Sequence, residues 1–388
     1  MARETQLRKP VRVLIVAPSL DILGGQAVQA VRLGDRLHDE PSLELGFLPI
    51  NPRLPGPLRY LQRIKYVRTV VTSLAYVASL LWRVPRYDVL HVFSASYFSF
   101  VIAPTPAMLI GKLYRKKVLL NYHSGEALDH FQRWRSAIPT TRLADIVVVP
   151  SEYLVRVFAE FGVEAHPIYN LVDTGKLQFR ERGPLRPIFL SNRNLEAHYG
   201  IDRVLRAFAL IQQEVPEATL EVVGDGSQRR ALEDLARELD LRNTTFRGQV
   251  DPRSIGDVYN AADIYLNASE VDNQPLSILE AFACGLPIVT TDAGAIPDMV
   301  SDGRTGMVVP RGDYRQMAKR ALSLLRDGDL ARRMIDQGRQ ECVKYSWDAV
   351  RGPWLNTYYR LANAEVESDE VEEKPEVAPS AERKVLSR

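Results

Sequence analysis

Short apolar runs alternate with amphipathic stretches along most of the chain, which is 388 residues long. The runs have the length of buried strands, and the stretches between them repeat apolar residues at helical spacing. Such alternation is typical of βα units and predicts an α/β fold built on parallel sheets. The predicted strands are residues 11–17, 43–49, 89–93, 118–122 and 146–149 in the first half and 188–190, 220–223, 244–247, 264–266, 288–290 and 307–309 in the second.

A stretch rich in charge, glycine and proline divides these strands into two groups. It spans residues 170–187 and has the composition of a linker. We therefore expect two α/β domains, residues 1–172 and 173–347, with a cleft between them.

The end of the chain has a different pattern. Residues 348–361 carry Trp354, Tyr358 and Tyr359 at helical spacing, which indicates a helix packed against a core. The acidic, proline-containing stretch 363–388 has no aromatic residue, and this composition predicts a disordered tail.

Composition narrows the class of protein only slightly. An apolar content of 46% permits two full cores, and a formal charge of +2 does not indicate a nucleic-acid partner, so we expect none. The two cysteines, Cys284 and Cys342, are too few for a disulfide scaffold and fit a reducing, cytoplasmic compartment.

The first strand is too short for a signal-peptide core. The longest apolar run, 70–82, falls short of the roughly 20 residues of a membrane-spanning helix.

The stretch 268–291 carries the most specific chemistry, because two carboxylates lie eight positions apart across the start of a helix. We expect Pro275 to be its first helical residue, the helix to run on from Leu276 to about Cys284, and Gly285 to end it. The free N–H groups and the positive end of the helix dipole would then suit a diphosphate. Glu280, on the second turn, could accept hydrogen bonds from the paired hydroxyls of a ribose. Asp272, on the preceding loop, could reach another polyol.

Other polar residues follow predicted strands, where an open α/β sheet binds its ligands. The pair Gly24-Gly25 would let a backbone approach phosphate closely, although most such pairs are only turns. His123 could exchange a hydrogen bond with a sugar hydroxyl or an acceptor, although a lone histidine is usually structural. Arg193 suits a phosphate, and its alternative role is a surface ion pair.

Two further motifs predict structure rather than chemistry. Ser151 precedes a helical pattern and has the position of an N-cap. Asp327-Gly-Asp329 has the form of a metal-binding DxD motif, but it lies between two helical stretches and is expected to be a turn.

The carboxylate pair resembles the E-x7-E signature of the family-4 retaining glycosyltransferases, with Asp272 in place of the first Glu. The resemblance implies two Rossmann-like domains facing across a cleft, the GT-B arrangement, with helix 348–362 crossing back to the first domain. It also implies that Glu280 binds the donor ribose and that Asp272 contacts the donor sugar. The implied phosphate loop consists of Asn273, Gln274, Pro275 and Leu276.

The same resemblance extends to the strand ends. It implies that Gly24 and Gly25 form the first glycine-rich loop, that His123 lies near the reacting sugar, and that the base lies beside two further residues, Gly224 and Val250. The family pairs an arginine such as Arg193 with a lysine six positions on. Here that position holds Tyr199, which can hydrogen-bond but cannot neutralise a leaving diphosphate.

The function implied is retaining transfer of a hexose from a nucleotide diphosphate sugar, of UDP or GDP type, without a metal or other cofactor. The implied catalytic residues are His123, Arg193 and Asp272. The acceptor could be lipid-linked or a cell-envelope glycan precursor. Two alternatives remain: an epimerase or phosphorylase on the same fold, and a non-catalytic membrane-associated protein that binds sugar nucleotides.

A basic segment in the first half suggests a membrane surface. Seven Lys/Arg and no Asp or Glu lie between Gly46 and Tyr87, around the apolar run 70–82. We expect an anionic membrane to be contacted, on its inner face, through Arg53, Arg59, Arg63, Lys65 and Arg68. An ordinary buried helix with a solvated basic flank explains the same pattern equally well.

Overall fold

A computed structural model describes residues 9–21, 24–54, 56–64, 66–94, 96–175 and 177–363. The predicted tail, apart from Asn363, and the predicted membrane residue Lys65 lie outside these ranges.

Two six-stranded parallel sheets form the centres of the two halves. The first has the order β2-β1-β3-β4-β5-β6 and the second β12-β11-β10-β7-β8-β9. Their strands are β1 Val11–Ala17, β2 Leu43–Pro49, β3 Val89–Phe93, β4 Lys117–Asn121, β5 Ile146–Val149, β6 His166–Pro167, β7 Ile188–Asn192, β8 Thr219–Val223, β9 Thr244–Gly248, β10 Ile264–Asn267, β11 Ile288–Thr291 and β12 Met307–Val309.

Helices cover both faces of each sheet, which is why most of the strands are apolar along their whole length. The helices are α1 Gly25–His38, α2 Val67–Arg83, α3 Tyr97–Ile102, α4 Pro104–Leu113, α5 Ala127–Arg133, α6 Ala137–Thr141, α7 Glu152–Glu160, α8 Ile201–Glu214, α9 Arg229–Glu238, α10 Ile255–Ala261, α11 Leu276–Cys284, α12 Ile296–Met299, α13 Tyr314–Arg326, α14 Gly328–Cys342 and α15 Trp347–Ala362. Short 3₁₀ turns occupy Gly56–Arg63, Val84–Arg86, Ala197–Tyr199 and Val343–Tyr345.

The predicted parallel α/β fold is confirmed, and every predicted strand occurs with ends that differ by two residues at most. The strand that the sequence did not predict is β6, which has only two residues, a histidine and a proline. It pairs with β5 at the edge of the first sheet, where proline is tolerated because no neighbour needs its missing N–H.

The helix α15 follows the second half in the chain but packs on the first sheet. Trp354 and Tyr358 are buried against β1 and β3, and the Tyr358 hydroxyl lies 2.8 Å from Nδ1 of His91. At the start of the helix, Arg351 donates two hydrogen bonds of 2.6 Å to the carboxylate of Glu40. The last helix therefore completes the core of the first half.

His91 makes the stability of this core sensitive to acid. It is fully buried, and burial lowers its pKa to about 3. His91 in the unfolded chain takes up a proton near pH 6.5, so its contribution to the free energy of unfolding is complete above that pH and falls by about 1.4 kcal/mol per pH unit as the pH drops towards 3. Burial also lowers the pKa of His123 to about 3 and of His130 to about 4, so both add to the slope. Urea unfolding between pH 7 and pH 5 should show a slope at least this steep, and His91→Asn should reduce it by about the His91 contribution.

The matched control for that experiment is His38→Asn, because His38 is exposed on α1. It should leave the pH dependence unchanged. An unaltered slope in His91→Asn would show that other groups cause the loss of stability.

Candidate active site

A cavity of about 590 Å³ lies between the two halves, at the carboxyl ends of both sheets. Residues from the two sheets line it together, because parallel strands bring their carboxyl ends to one edge. The structure places every residue predicted for the site on its wall: Gly24, Gly25, His123, Arg193, Tyr199, Gly224, Val250, Asp272, Asn273, Gln274, Pro275, Leu276 and Glu280.

The helix α11 points its N-terminus into this cavity. All nine of its residues are buried, and Gly285 ends it in the left-handed conformation at φ 75°. The predicted run from Leu276 to about Cys284 is confirmed, whereas the prediction that Pro275 is already helical is wrong by one position. Its φ of −65° suits a helix, but its ψ of 118° is extended, so it caps the helix and Leu276 begins it. The N–H groups that an anion would contact are therefore those that follow Pro275.

Two side chains that the sequence analysis missed fix the position of Glu280. Arg32, on α1, donates a hydrogen bond of 2.6 Å to one carboxylate oxygen, and the hydroxyl of Tyr259 lies 3.0 Å from the other. The Arg32 and Glu280 side chains are only 11% and 7% exposed. Each carboxylate oxygen keeps a free lone pair, so this geometry remains suited to two adjacent hydroxyl donors.

Arg193 lies beside the first turn of α11. One of its terminal nitrogens donates to Asp272 at 2.6 Å and the other to Ser277 at 3.2 Å. Burial disfavours its charge, but Asp272 and neighbouring tyrosines more than offset this, so the pKa of Arg193 is raised above its ordinary value. The guanidinium is a permanent positive charge on a side chain that is only 9% exposed, where its interaction with an anion is less screened than on the surface.

Tyr199, which replaces the family's lysine, stacks on this guanidinium. The Arg193 carbon Cζ lies 4.1 Å from the centre of the Tyr199 ring, a cation–π geometry. Burial raises the pKa of Tyr199, so its hydroxyl is neutral. Tyr199 therefore supplies a ring face that positions the Arg193 cation, whereas a lysine at this place would supply a second cation.

This role predicts different effects for two substitutions at Tyr199. Tyr199→Phe keeps the ring face, so kcat/KM should stay within about threefold of the original. Tyr199→Ala removes the wall and should lower kcat/KM about 30-fold, since a desolvated cation–π contact contributes roughly 2 kcal/mol. Steady-state kinetics with saturating acceptor would measure both, and equal losses would show that the hydroxyl matters instead.

Asp272 is already engaged within the site. One carboxylate oxygen accepts from Arg193 and from Ser269 at 3.0 Å, and the other accepts from the Asn273 N–H at 3.0 Å. Asp272 therefore holds Arg193 and its own loop. Direct contact with a donor sugar stays a prediction for this residue.

The first half of the molecule holds the loop that follows Asp272. Ser151, which caps α7 as the sequence predicts, also hydrogen-bonds the Asn273 side chain. The Asn170 N–H donates to the Gln274 side chain at 2.5 Å, and its amide group donates to the Gln274 carbonyl at 3.2 Å. These contacts join the two halves directly beside the α11 N-terminus.

Close backbone packing around Asp272 requires glycine on both sides. A Cβ atom at Gly125, from the first half, would lie 2.9 Å from the Asp272 carbonyl carbon. At Gly294 in the second half, φ is 52° and a Cβ would lie 1.8 Å from the Asp272 carbonyl oxygen. Any side chain at either position would displace the loop.

His123 presents a neutral imidazole at the cavity wall. Its ring stacks on Phe93 at 5.1 Å, and burial lowers its pKa to about 3. Its Nε2 atom is buried and has no hydrogen-bond partner among the residues that the structure describes. An unpaired nitrogen in this position is suited to a hydroxyl of a bound sugar or acceptor.

No group of three or more His, Cys, Asp or Glu side chains with metal-binding geometry occurs within the described ranges. The DxD-like motif is a helix N-terminus rather than the predicted turn: Asp327 caps α14 by accepting a hydrogen bond of 2.9 Å from the N–H of Leu330, and Gly328 and Asp329 already belong to the helix.

Two family models match the chain in succession. The model described as Glycosyltransferase Family 4 matches residues 5–176, and the model described as Glycosyl transferases group 1 matches residues 177–341. Their boundary falls within the predicted linker.

Curated relatives share a quarter or more of their aligned residues with the chain. A sulfoquinovosyl transferase of Arabidopsis thaliana is 25% identical over 76% of this chain and 62% of its own length. An N-acetyl-alpha-D-glucosaminyl L-malate synthase of Bacillus anthracis is 29% identical over 56% of this chain and 60% of its own. The chain therefore spans about three fifths of the length of these relatives.

Solved structures share the fold at low sequence identity. Anabaena HepE in complex with UDP and glucose superposes with a TM-score of 0.73 at 16% identity, over 90% of this chain and 100% of that one. Sucrose-phosphate synthase from Thermosynechococcus elongatus superposes with a TM-score of 0.74 at 20% identity, over 91% and 99% of the two chains.

Proposed function

Since the chain belongs to the glycosyltransferases of group 1 and family 4, with the GT-B arrangement of two Rossmann-like halves, we propose that it transfers a hexose from a nucleotide diphosphate sugar to a hydroxyl acceptor with retention of configuration. One observation carries the proposal. Glu280 and Arg193 line the same cavity at the start of α11, with Glu280 on the helix itself and Arg193 hydrogen-bonded to Ser277 in its first turn, so one ligand could present a ribose to the first and a diphosphate to the second. Without a carboxylate for the ribose, the same helix would be a general anion site.

The donor would be held by three kinds of group. The α11 N–H groups and Arg193 contact the diphosphate, Glu280 accepts from the ribose hydroxyls, and the ends of β8 and β9, at Gly224 and Val250, border the base. We propose a UDP or GDP donor on this basis. A bound UDP in the Anabaena neighbour belongs to that protein and is consistent with this choice.

The reaction we propose is a front-face displacement. The bond between the anomeric carbon and the diphosphate breaks, and the diphosphate leaves with the electron pair. The acceptor oxygen bonds to the same face of the sugar, and its proton passes to the departing phosphate oxygen. Arg193 and the helix N-terminus stabilise the negative charge as it develops, which is the largest contribution in many enzymes. His123 would hydrogen-bond a hydroxyl beside the reacting carbon. No step requires a metal ion.

Product analysis tests this proposal. The protein is incubated with UDP- and GDP-hexoses and a mixed glycan and glycolipid extract, with and without EDTA, and the products are examined by NMR. We expect a glycoside with the anomeric configuration of the donor, formed at the same rate in EDTA. A product of opposite configuration would overturn retention. Release of an epimerised nucleotide sugar would establish the epimerase alternative, and binding without turnover of any donor would establish the non-catalytic one.

A further inference from the structure

The helix α2 is apolar on two opposite faces. Tyr76 and Leu80 point into the core of the first half, and the Tyr76 hydroxyl donates to the Ala103 carbonyl at 2.9 Å. A second stripe faces outward at helical spacing, and its members are Val67, Val70, Leu74, Ala78 and Leu81. An ordinary surface helix has one apolar face, and a second one requires an apolar environment outside the fold.

Two neighbouring helices extend this outward stripe. The short helix α3 exposes Phe98 and Val101, and α4, which packs between α3 and α2, exposes Leu109 and Leu113. Leu74 and Leu113 are 65% and 70% exposed. We call the outward residues of α2, α3 and α4 the apolar face. This continuous group of exposed apolar side chains differs from the single, scattered apolar residues of an ordinary soluble surface.

The charge around the apolar face is almost entirely positive. Between Gly46 and Gly125 the sequence has eleven Lys/Arg and one acidic residue, Asp88. Asp88 is already paired with Arg12 at 2.7 Å. Within the described ranges, Arg63 and Arg68 make no ion pair, whereas the predicted membrane residue Arg53 is neutralised by Asp21.

Aromatic side chains mark the edge of the apolar face. Trp82 is 68% exposed, and the guanidinium of Arg86 lies 4.3 Å from the centre of its ring. Tyr60 and Tyr66 are also largely exposed. Tryptophan and tyrosine next to arginine are the residues found at the boundary between lipid headgroups and acyl chains.

The length of the α2 segment corrects the expectation that its apolar run is too short to span a membrane. Helix α2 and the 3₁₀ turn that follows it form one helical segment, Val67–Arg86, of 20 residues that is long and apolar enough to do so by length and composition. However, Tyr76, Leu80 and Val84 are buried in the first half, so the helix lies along the surface of the fold. A helix held in this way fits a position parallel to a bilayer rather than across it.

We propose that the apolar face docks on an anionic lipid bilayer and that the acceptor hydroxyl is delivered from that bilayer. Only the delivery of the acceptor from the bilayer rests on the proposed function; the docking itself does not. Helix α3 places the apolar face directly beside the cavity. Its residues Phe98 and Val101 belong to the apolar face, whereas Tyr97 and Ser99 line the cavity. Six helical residues rise only about 9 Å, so the cavity opens beside the proposed lipid surface.

Flotation with vesicles tests the docking. Vesicles of phosphatidylcholine with phosphatidylglycerol should carry the protein at low salt, and pure phosphatidylcholine vesicles should carry much less. Arg63→Gln with Arg68→Gln should weaken binding about 25-fold, since each basic residue contributes about fivefold. Leu74→Ser with Leu81→Ser should weaken it at least as much, because these side chains would enter the acyl region.

Matched substitutions on the second half serve as controls. Arg332 and Arg333 are exposed on α14, and Val343 is 65% exposed. Arg332→Gln with Arg333→Gln, and Val343→Ser, should leave vesicle binding unchanged. Protein that stays in the soluble fraction with anionic vesicles would overturn the proposal, as would equal losses in the control variants. The proposal would also be overturned if the protein formed a dimer that dissociates in the double variant Leu74→Ser, Leu81→Ser, because a second copy of the chain would then cover the apolar face.

A fluorescent label tests the orientation of the cavity. Cys284 and Cys342 are buried, so bimane attached to Ser99→Cys reports the cavity mouth and bimane attached to Val343→Cys reports the second half. Anionic vesicles should shift the emission of the first label to the blue and leave the second unchanged. The reverse pattern would overturn the membrane-delivered acceptor. Both experiments omit nucleotide, so their failure is distinct from failure of the proposed sugar transfer.

Discussion

Replacing Arg193 by glutamine is expected to lower kcat about a thousandfold, the effect of removing one positioned charge from a leaving group. The guanidinium is held by Asp272 and Ser277 and backed by the Tyr199 ring, so it needs no reorganisation when the diphosphate departs. Glutamine can still donate a hydrogen bond but carries no charge. Single-turnover kinetics would measure the chemical step directly. A variant that retains a tenth of the original rate would show that the charge is stabilised elsewhere.

The Arg193–Asp272 pair makes a control necessary. Both side chains are about nine-tenths buried, so Arg193→Gln alone leaves a carboxylate without its partner and costs about 3 kcal/mol of stability. Combining it with Asp272→Asn removes that unpaired charge. The double variant should recover Tm and remain as slow as Arg193→Gln. Recovery of activity together with Tm would mean that the single variant had failed through its fold.

Glu280→Gln is expected to weaken UDP or GDP binding about 100-fold, because two charge-assisted hydrogen bonds to the ribose become neutral or are lost. Inorganic pyrophosphate has no ribose, so its affinity should be nearly unchanged. Calorimetry with both ligands separates the two parts of the site. Equal losses for nucleotide and pyrophosphate would show that Glu280 supports the loop and not the ribose.

Arg32 decides how the Glu280 experiment should be designed. Glu280→Ala would leave the Arg32 guanidinium buried without a partner, and a folding defect would then resemble lost binding. Arg32→Gln with Glu280→Gln replaces the ion pair by a neutral amide pair and serves as the control. This double variant should bind UDP as weakly as Glu280→Gln does, and it should unfold at a higher temperature than Glu280→Gln.

The fold was predictable because most of its strands are buried on both faces and their apolar runs stand out. The site residues that follow strand ends were predictable for a topological reason, since parallel strands deliver their ends to one edge. Helix α2 was predicted only in part. Its contiguous apolar run is 70–82, but the helix itself continues through Arg68 and Arg83, whose propensity is helical although they are charged.

The contacts between the halves could not be predicted from the sequence. Arg32 meets Glu280 across 248 positions, and Ser151 meets Asn273 across 122. Each pairing depends on how the two sheets are oriented, and no local pattern encodes that orientation. Tyr259 was missed for a related reason, because its α10 pattern indicates only a buried residue. The one-position error at Pro275 arose because proline fixes φ and leaves ψ to the surrounding loop.

The packing of α15 on the first sheet has a consequence for synthesis of the protein. β1 emerges from the ribosome before the second half, but the helix that covers it emerges after the whole second half. At roughly 5–20 residues per second, residues 173–346 take about ten to thirty-five seconds. During that interval the nascent first half exposes the surface that Trp354 and Tyr358 will cover. Ribosome-bound chains stalled at residue 346 should be cut in the first half by protease, whereas chains that have released α15 should resist it.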